Sequence, residues 1–198
     1  MNSIARGVPF GSRSPRKRGP YCAPLHTRGY WNVFQEVKAV VETSVRTGAP
    51  VSLRAHLDDW HQALFQPSVD AGLITRSQLA GYRNHPVFIR SAQHVPPAAE
   101  KLMDAMDAWF DLMDDEPHAG VRAVLGHWLL GYIHPFPDGN GRLARFAMNA
   151  VLASSGYGWI VIRLEERARY MAALDAASAA GDIIPFAHLI AEHLQDAR

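Results

Sequence analysis

The sequence has a single cysteine and no long apolar run. With only Cys22 among 198 residues, an intramolecular disulfide and a zinc site built from several cysteines are both excluded. The ten histidines include no His-Glu-x-x-His string, so no histidine-based metal cluster is expected. No stretch approaches the ~18 apolar residues of a membrane span, and the N-terminus lacks the apolar core of a secretory signal. These absences favour a protein of a reducing compartment that does not cross a membrane.

Acidic residues are absent from the first thirty positions. Residues 1–30 carry six basic side chains and no Asp or Glu, whereas the net charge of the whole chain is only +1. This segment contains Pro and Gly and shows no apolar periodicity, which predicts a basic, disordered tail. Two interpretations of the tail stay open: a passive solvated segment, or a targeting or nucleic-acid-binding arm. Residues 31–198 are long enough to form one well-buried domain.

Apolar residues recur at helical spacing through most of that domain. The pattern predicts seven amphipathic segments, with Ser52 as the N-cap of the second. They begin near Trp31, Leu53, Leu102, Val121, Leu143, Arg167 and Phe186. Between them, residues 86–95 are rich in β-branched and aromatic side chains, which suits a short hairpin. Residues 159–162 are apolar enough for a buried strand or turn.

A turn rich in functional side chains lies between the fourth and fifth helical segments. Residues 134–145 read His-Pro-Phe-Pro-Asp-Gly-Asn-Gly-Arg-Leu-Ala-Arg. Pro135 and Pro137 disfavour helical geometry at the residues before them, so the preceding helix is expected to end at or near His134. Gly139 and Gly141 allow the backbone to approach a ligand closely where the next helix begins. The unpaired amides at that helix start predict an anion site.

The side chains of the turn suit a nucleotide phosphate. Arg142 and Arg145 are three residues apart, and each carries a planar fork that matches phosphate oxygens. Asp138 is a hard oxygen ligand of the kind that Mg²⁺ uses together with phosphates. His134 can accept a proton near neutral pH. A histidine at a helix end is more often a cap or a packed residue, and Phe136 is most simply a core anchor, so the prediction depends on the whole set.

The same run resembles the signature of Fic-domain proteins, His-x-Phe-x-Asp/Glu-Gly-Asn-Gly-Arg-x-x-Arg. The resemblance extends over roughly residues 50–195, because residues 81–97 are similar to the family's target-positioning flap and residues 181–186 to its closing helix entry. It implies an all-α, mainly helical Fic-type bundle with a small β-hairpin flap at 84–96. The eight specified signature positions are met by His134, Phe136, Asp138, Gly139, Asn140, Gly141, Arg142 and Arg145.

The resemblance also implies a reaction. His134 is expected to remove the proton from a Tyr, Thr or Ser hydroxyl of a target protein, which then attacks the α-phosphorus of ATP and releases pyrophosphate. Asp138 is expected to hold Mg²⁺, and Arg142 and Arg145 to neutralise the β- and γ-phosphates. The segment Gly139, Asn140 and Gly141 is expected to cradle the oxyanion.

A candidate flap would deliver the target. Val87, Phe88 and Ile89 are expected to pair with an extended target segment by strand addition. Without the family resemblance, a plain surface hairpin that binds nothing is the simpler interpretation.

Two further features bear on activity and its control. A lysine replaces Gly141 in the family's kinase-like toxins, so this glycine favours nucleotidyl transfer. Many Fic proteins carry a Ser/Thr-x-x-x-Glu-Gly/Asn helix that restrains the enzyme, and no such string occurs here; the nearest imitation, 178–182, ends in Asp182. A small separate antitoxin that supplies the inhibitory Glu helix is therefore one expectation, beside a divergent internal segment or no such restraint.

The alternatives are a low-activity nucleotide-binding or protein-interaction module of a toxin–antitoxin pair, and a Fic-type transferase that uses UMP, GMP or phosphate. The expected location is the bacterial cytoplasm, with delivery into a host cell as an alternative, and nucleic acid is not an expected partner.

Overall fold

The computed structural model describes residues 22–89 and 92–196. These residues contain three short 3₁₀ turns and no β-strand, which confirms the all-α prediction. None of the helices in this part of the chain combines the length and apolarity needed to span a membrane. The seven helices are α1 (Cys22–Thr47), α2 (Leu53–Asp70), α3 (Leu102–Asp115), α4 (Ala119–Ile133), α5 (Asn140–Ser154), α6 (Arg167–Ala180) and α7 (Ile184–Asp196).

Helix α5 is the centre of the bundle. Ten of its fifteen residues are buried, and α1, α2 and α4 all pack against it. Ala144 and Ala147 are fully buried, and such small side chains let neighbouring helices come close. Large side chains such as Leu143 and Phe146 fill the space between the axes. The turn before α5 is therefore attached to a deeply buried helix of the fold.

Helix α1 corrects the predicted boundary of the N-terminal tail. It begins at Cys22, so residues 22–30 are helical, and only residues 1–21 of the predicted tail lie outside the described residues. The sequence pattern missed this because the contact is made by a glycine and not by an aliphatic side chain. A Cβ placed on Gly29 would lie 1.9 Å from the carbonyl oxygen of Leu64, so α1 crosses α2 at backbone contact. Pro24 is tolerated because first-turn amides have no helical partner.

The helical periodicity is otherwise confirmed along the chain. Ser52 caps α2 as predicted, and its Oγ accepts a hydrogen bond from the amide of Ala55 at 3.3 Å. Helix α2 runs past the predicted apolar stripe to Asp70 and contains Pro67. Before the turn at residues 134–139, which is called the active turn below, α4 ends at Ile133 with His134 as its C-cap.

The hairpin predicted at 86–95 is not present as strands in the described residues. Residues 86–89 are irregular, and so are 92–95, while 90 and 91 lie outside the described part. The segment is tethered by side chains and not by a ladder: the amide of Gln93 donates to Asp175 Oδ1 in α6 at 3.0 Å. The His94 ring donates to a backbone carbonyl of α4 at 2.9 Å. The strand-like composition was misleading here, because these two hydrogen bonds attach the segment to α4 and α6 without strand pairing.

Residues 157–163 are also irregular, although Ile160 is buried. The amide side chain of Asn149 makes both of the bonds that a neighbouring strand would make. Its Oδ1 accepts from the amide of Ile160 at 2.7 Å, and its Nδ2 donates to the carbonyl of Ile160 at 3.0 Å. One buried asparagine of α5 thus holds this segment against the bundle.

Candidate active site

His134 lies at the junction of α4 and the following turn. It has φ 53° and ψ 55°, and among the described residues it alone is a non-glycine with positive φ. This left-handed conformation is costly for a residue with a Cβ. The ring Nδ1 lies 3.2 Å from the carbonyl oxygen of Gly131; because a carbonyl only accepts, Nδ1 carries the proton and Nε2 keeps a free lone pair. Burial lowers the pKa of His134, so the ring is neutral at pH 7 and can act as a base.

The side chain of Arg83 holds this strained junction in place. Its Nε donates to the carbonyl of His134 at 2.8 Å, and its Nη2 donates to the carbonyl of Pro97 at 2.6 Å. Its Nη1 donates to the carbonyl of His85 at 3.0 Å, and its backbone amide donates to Pro135 at 2.8 Å. Arg83 is only 3% exposed. It is therefore a buried cation next to the carbonyls at the C-terminus of α4, where it compensates their partial negative charge. It joins the active turn to the irregular segment before α3.

Phe136 and Asn140 fix the interior of the turn. Phe136 is 1% exposed, and its ring stacks on His61 of α2 with centroids 4.0 Å apart. Asn140 Oδ1 accepts from the amide of Phe136 at 2.9 Å, while its Nδ2 donates to the carbonyl of Phe136 at 2.7 Å. The side chain of Asn140 therefore faces the interior of the turn and holds the backbone of Phe136. Only its backbone amide, at the start of α5, is placed for an anion.

Gly139 shapes the start of α5. Its φ is 93°, and a Cβ at this position would lie 3.0 Å from both Leu64 Cδ2 and Phe65 Cε2. Both the backbone conformation and the packing therefore require glycine. The amides of Asn140 and Gly141 occupy the first positions of α5, where no carbonyl within the helix can accept from them. They are unpaired donors of the kind that the sequence predicted for an anion site.

The two arginines of the turn have different surroundings. Arg142 Nη2 lies 3.3 Å from Asp138 Oδ2, and its guanidinium lies over the ring of Phe65 at 5.1 Å. It also donates through Nη1 to His26 of α1 at 3.5 Å. Arg145 instead lines a cleft that Arg142 does not line.

That cleft has a volume of about 520 Å³ and lies between the turn and α6, within the usual range for small-molecule sites. Of the predicted site residues, His134, Gly141, Arg145 and Ile89 line it. Asp138 is exposed, Gly139 and Asn140 are buried, and Phe88 is 81% exposed; none of these four residues lines the cleft. Other lining residues that sequence reasoning did not single out are His94, Trp128, Arg167, Tyr170, Met171, Leu174, Asp175 and Ser178.

A known protein family matches the middle of the chain. The profile of the Fic/DOC family matches residues 51–152, about half of the chain. The chain belongs to the Fic/DOC family. It is 44% identical over 114 residues to the protein adenylyltransferase Fic of Nematostella vectensis, covering 56% of this chain and 26% of that protein. It is 36% identical over 102 residues to the protein adenylyltransferase fic-1 of Caenorhabditis elegans, covering 50% and 20%.

Solved structures show the same Fic fold. A Fic-1 fragment from C. elegans superimposes with a TM-score of 0.71 at 22% identity, covering 87% of this chain and 48% of that one. A Fic-domain signalling protein from Bacteroides thetaiotaomicron gives 0.64 at 22% identity, covering 88% and 68%. The chain spans only about a fifth to a quarter of the length of the curated relatives that it matches.

Several positioning residues of this Fic domain were missed by sequence reasoning. The isolated position of Arg83 in the sequence gave no sign that four backbone carbonyls accept hydrogen bonds from it. His61 is buried, and its Nε2 donates to the carbonyl of Asp138 at 3.2 Å. Its apolar spacing in α2 predicted burial, but not that the active turn covers it.

Replacing Arg83 by Met should destabilise the protein and loosen the turn. The carbonyls of Pro97, His85 and His134 would lose their donor in a buried place, and we expect a loss of roughly 2 to 4 kcal/mol in the free energy of unfolding. Urea denaturation measures it. Arg54→Met is the matched control, because Arg54 pairs with Asp107 and Asp111 at the surface and should change stability much less. Equal losses in the two variants would contradict the role given to Arg83.

Stability should fall in acid because of His61. Burial lowers the pKa of His61 from 6.5 to about 4, so between these values the unfolded chain binds a proton that the folded chain does not. The contribution is therefore complete above pH 6.5 and is lost as the pH falls towards 4, by roughly 3 kcal/mol. We expect His61→Phe to lose less stability than wild type between pH 7 and 4.5, measured by urea denaturation. His188→Phe, at an exposed position, is the control; identical pH profiles for His61→Phe and wild type would refute the assignment.

Proposed function

We propose that this chain transfers AMP from ATP to a Tyr, Thr or Ser hydroxyl of a target protein. The observation that carries the proposal is the neutral ring of His134, which lines one cleft together with Arg145 and with Gly141 at the start of α5. A base, a cation and an anion-binding helix start in one cleft suit in-line attack on a phosphate. The names of the curated relatives, protein adenylyltransferase, support the nucleotidyl group as the one transferred.

In the proposed reaction, His134 Nε2 takes the proton of the target hydroxyl while its oxygen bonds to the α-phosphorus. The bond from that phosphorus to the bridging oxygen breaks, and pyrophosphate leaves. The amides of Asn140 and Gly141 stabilise the charge that develops on the phosphoryl oxygens. Arg145 and Arg142 neutralise the leaving β- and γ-phosphates.

The residues present fit Mg²⁺ that arrives with the nucleotide. The described residues contain no group of three or more His, Cys, Asp or Glu side chains able to hold a metal, so they form no all-protein metal site. Mg²⁺ in nucleotide enzymes characteristically uses one or two carboxylates together with phosphates and water, and Asp138 offers one carboxylate, 60% exposed, beside the anion site. When bound, Mg²⁺ supplies positive charge to neighbouring phosphates. Asp138 is the residue proposed to hold it.

Gly141 supports transfer of a nucleotidyl group over a phosphoryl group. The nearest atom to a Cβ built there is Arg145 Nη1 at 3.8 Å, so the position is open and a lysine could occupy it. Because the chain has glycine and not lysine at position 141, the cleft lacks the positive charge that the kinase-like Fic toxins carry there. Donors other than ATP, such as UTP or GTP, stay as alternatives because no residue of the turn reads the base.

The target and the control of activity are also proposals. Val87, Phe88 and Ile89 are proposed to position the target segment. Ile89 lines the cleft, although the described part of this segment is not a hairpin. A separate small antitoxin is proposed to supply an inhibitory glutamate, and the bacterial cytoplasm is the proposed location. A nucleotide-binding module with little catalysis is the second candidate function.

His134→Ala should abolish transfer. We expect labelling of protein from α-³²P-ATP with Mg²⁺ to fall by at least about 100-fold, since the general base is lost, with an unchanged unfolding curve. His188→Ala, far from any site residue in sequence and exposed, should label as wild type does. Equal labelling by His134→Ala and wild type would remove the proposed base, and nucleotide binding without transfer in wild type would favour the module.

Asp138→Asn should reduce transfer and its dependence on Mg²⁺. The amide oxygen can still accept the hydrogen bond that Gly139 donates to Asp138 Oδ1 at 2.7 Å, so the turn should fold normally. Loss of the charge should lower the rate by about 100-fold and raise the Mg²⁺ concentration needed for half-maximal rate. Asp104→Asn, at an exposed position of α3, is the control. If Asp138→Asn loses stability while the Mg²⁺ dependence of its remaining transfer rate is unchanged, Asp138 has a structural role.

A further inference from the structure

The backbone of the active turn has a buried partner in helix α2. His61 is 1% exposed, and its Nε2 lies 3.2 Å from the carbonyl oxygen of Asp138. Because a carbonyl oxygen only accepts, Nε2 carries a proton and donates it. The His61 ring stacks on Phe136 with centroids 4.0 Å apart and an interplanar angle of 14°, and Phe65 packs edge-on against it at 5.2 Å. These two aromatic contacts hold the donor in place beneath the carbonyl.

The carbonyl of Asp138 belongs to the peptide unit that joins Asp138 to Gly139. The other end of this unit is the amide of Gly139, which donates to Asp138 Oδ1 at 2.7 Å. The peptide is trans, so its carbonyl and its amide point in opposite directions. While His61 binds the carbonyl on the side of α2, the amide must point away from α2 and towards the carboxylate. The orientation of one peptide unit therefore determines where the Asp138 carboxylate is held.

The bond from Gly139 is the stronger of the two constraints on this carboxylate. The other oxygen, Oδ2, lies 3.3 Å from Arg142 Nη2, and the Asp138 side chain is 60% exposed. An exposed ion pair orients its side chains weakly, because water and salt screen it. A hydrogen bond from a backbone amide to a carboxylate is charge-assisted and directional. The direction of the Asp138 carboxylate thus depends mainly on the peptide that His61 holds.

This peptide unit is next to the residue of the turn that tolerates reorientation best. Gly139 has φ 93° and no Cβ, so a rotation of the preceding peptide meets little steric resistance from it. A flipped peptide would turn the Gly139 amide towards α2 and bring the carbonyl oxygen of Asp138 to the carboxylate. The carboxylate would lose its donor and face a second oxygen. Such a flip has to break the hydrogen bond from His61, which therefore opposes it.

We propose that His61 is a positioning residue that fixes the peptide between Asp138 and Gly139, so that the Gly139 amide holds the Asp138 carboxylate ready for the Mg²⁺ that arrives with the nucleotide. This inference rests on the proposed function, because it takes Asp138 as the residue that holds Mg²⁺. The alternative is that His61 serves only as an aromatic residue of the core. The two roles make opposite demands on the side chain at position 61.

Two substitutions separate the hydrogen bond of His61 from its ring. His61→Phe keeps a ring that can stack on Phe136 but has no N–H. His61→Gln has no ring, but its Nε2 is an N–H donor that can reach the carbonyl of Asp138. His56→Phe is the matched control, because His56 stacks on Trp60 of the same helix with centroids 5.9 Å apart and lines a different cavity.

Isothermal titration of a non-hydrolysable ATP analogue, with and without Mg²⁺, measures the gain in affinity that depends on Mg²⁺. His61→Phe should reduce this gain by about 5- to 10-fold, since one hydrogen bond no longer fixes the carboxylate. Without Mg²⁺, its Kd for the analogue should change by less than about 2-fold, because no phosphate contact is removed. His61→Gln and His56→Phe should keep the gain of wild type. A full gain in His61→Phe and a reduced one in His61→Gln would identify a packing role and overturn the proposal.

Hydrogen exchange at the Gly139 amide reports the orientation of the peptide directly and needs no ligand. In His61→Phe this amide should exchange about 5- to 10-fold faster than in wild type, whereas in His61→Gln its rate should be that of wild type. The amide of Leu143, which donates to the carbonyl of Gly139 at 3.0 Å, is the internal reference for the start of α5. An equal rise at Gly139 and Leu143 would indicate general loosening of the helix start and would contradict the proposal.

A double-mutant cycle separates failure of the inference from failure of the proposed function. If Asp138→Asn keeps the full Mg²⁺-dependent gain, Asp138 does not hold Mg²⁺, and the inference falls with that part of the proposed function. If Asp138→Asn loses the gain, adding His61→Phe should cause no further loss, because His61 acts through Asp138. A further loss in the double variant would overturn the positioning role alone. Urea unfolding curves of all variants establish that each one is folded under the titration conditions.

Discussion

The hydrogen bond from Arg83 to the carbonyl of His134 is the interaction on which the site depends. A residue with a Cβ in the left-handed region is under strain, and that strain is tolerated only where neighbouring groups fix the backbone. Arg83 does this while it also binds the carbonyls of Pro97 and His85. The left-handed turn at the end of α4 brings Nδ1 of the His134 ring to the carbonyl of Gly131. That contact selects the tautomer with a free Nε2, so the proposed base is defined by backbone geometry.

Irregular backbone in this all-helical fold is stabilised by amide side chains of α5. Asn140 bonds both polar groups of Phe136, and Asn149 bonds both polar groups of Ile160. In each case the side chain satisfies buried backbone groups that a strand would otherwise satisfy. The fold therefore needs no sheet to hold the turn before α5 and the segment after it. Since α5 is also the most buried helix, its side chains hold both segments against the interior of the bundle.

The sequence predicted the helices and the site turn well, because both depend on local patterns. Apolar periodicity, the Ser52 cap and the prolines after His134 act over a few residues and are legible without tertiary contacts. The parts that it missed depend on contacts between distant residues. Gly29 allows α1 to contact the backbone of Leu64, and Arg83 donates to a carbonyl about fifty residues away. Neither contact can be recognised from the neighbouring sequence. The hairpin failed for the same reason, since the segment is tethered to α4 and α6 by Asp175 and His94.

The two signature arginines, Arg142 and Arg145, differ in their surroundings and therefore in how freely they can contact a phosphate. The positive charge of Arg142 is offset by Asp138, the residue proposed to hold Mg²⁺, so a cation bound there would compete with Arg142 for the carboxylate and release the guanidinium towards phosphate. Arg145 needs no such release, because no carboxylate of the described residues pairs with it. One arginine is thus available from the start and the other becomes available with the metal. If Asp138 holds Mg²⁺ as proposed, nucleotide and Mg²⁺ should bind cooperatively, since each would remove a contact or supply a charge that favours the other.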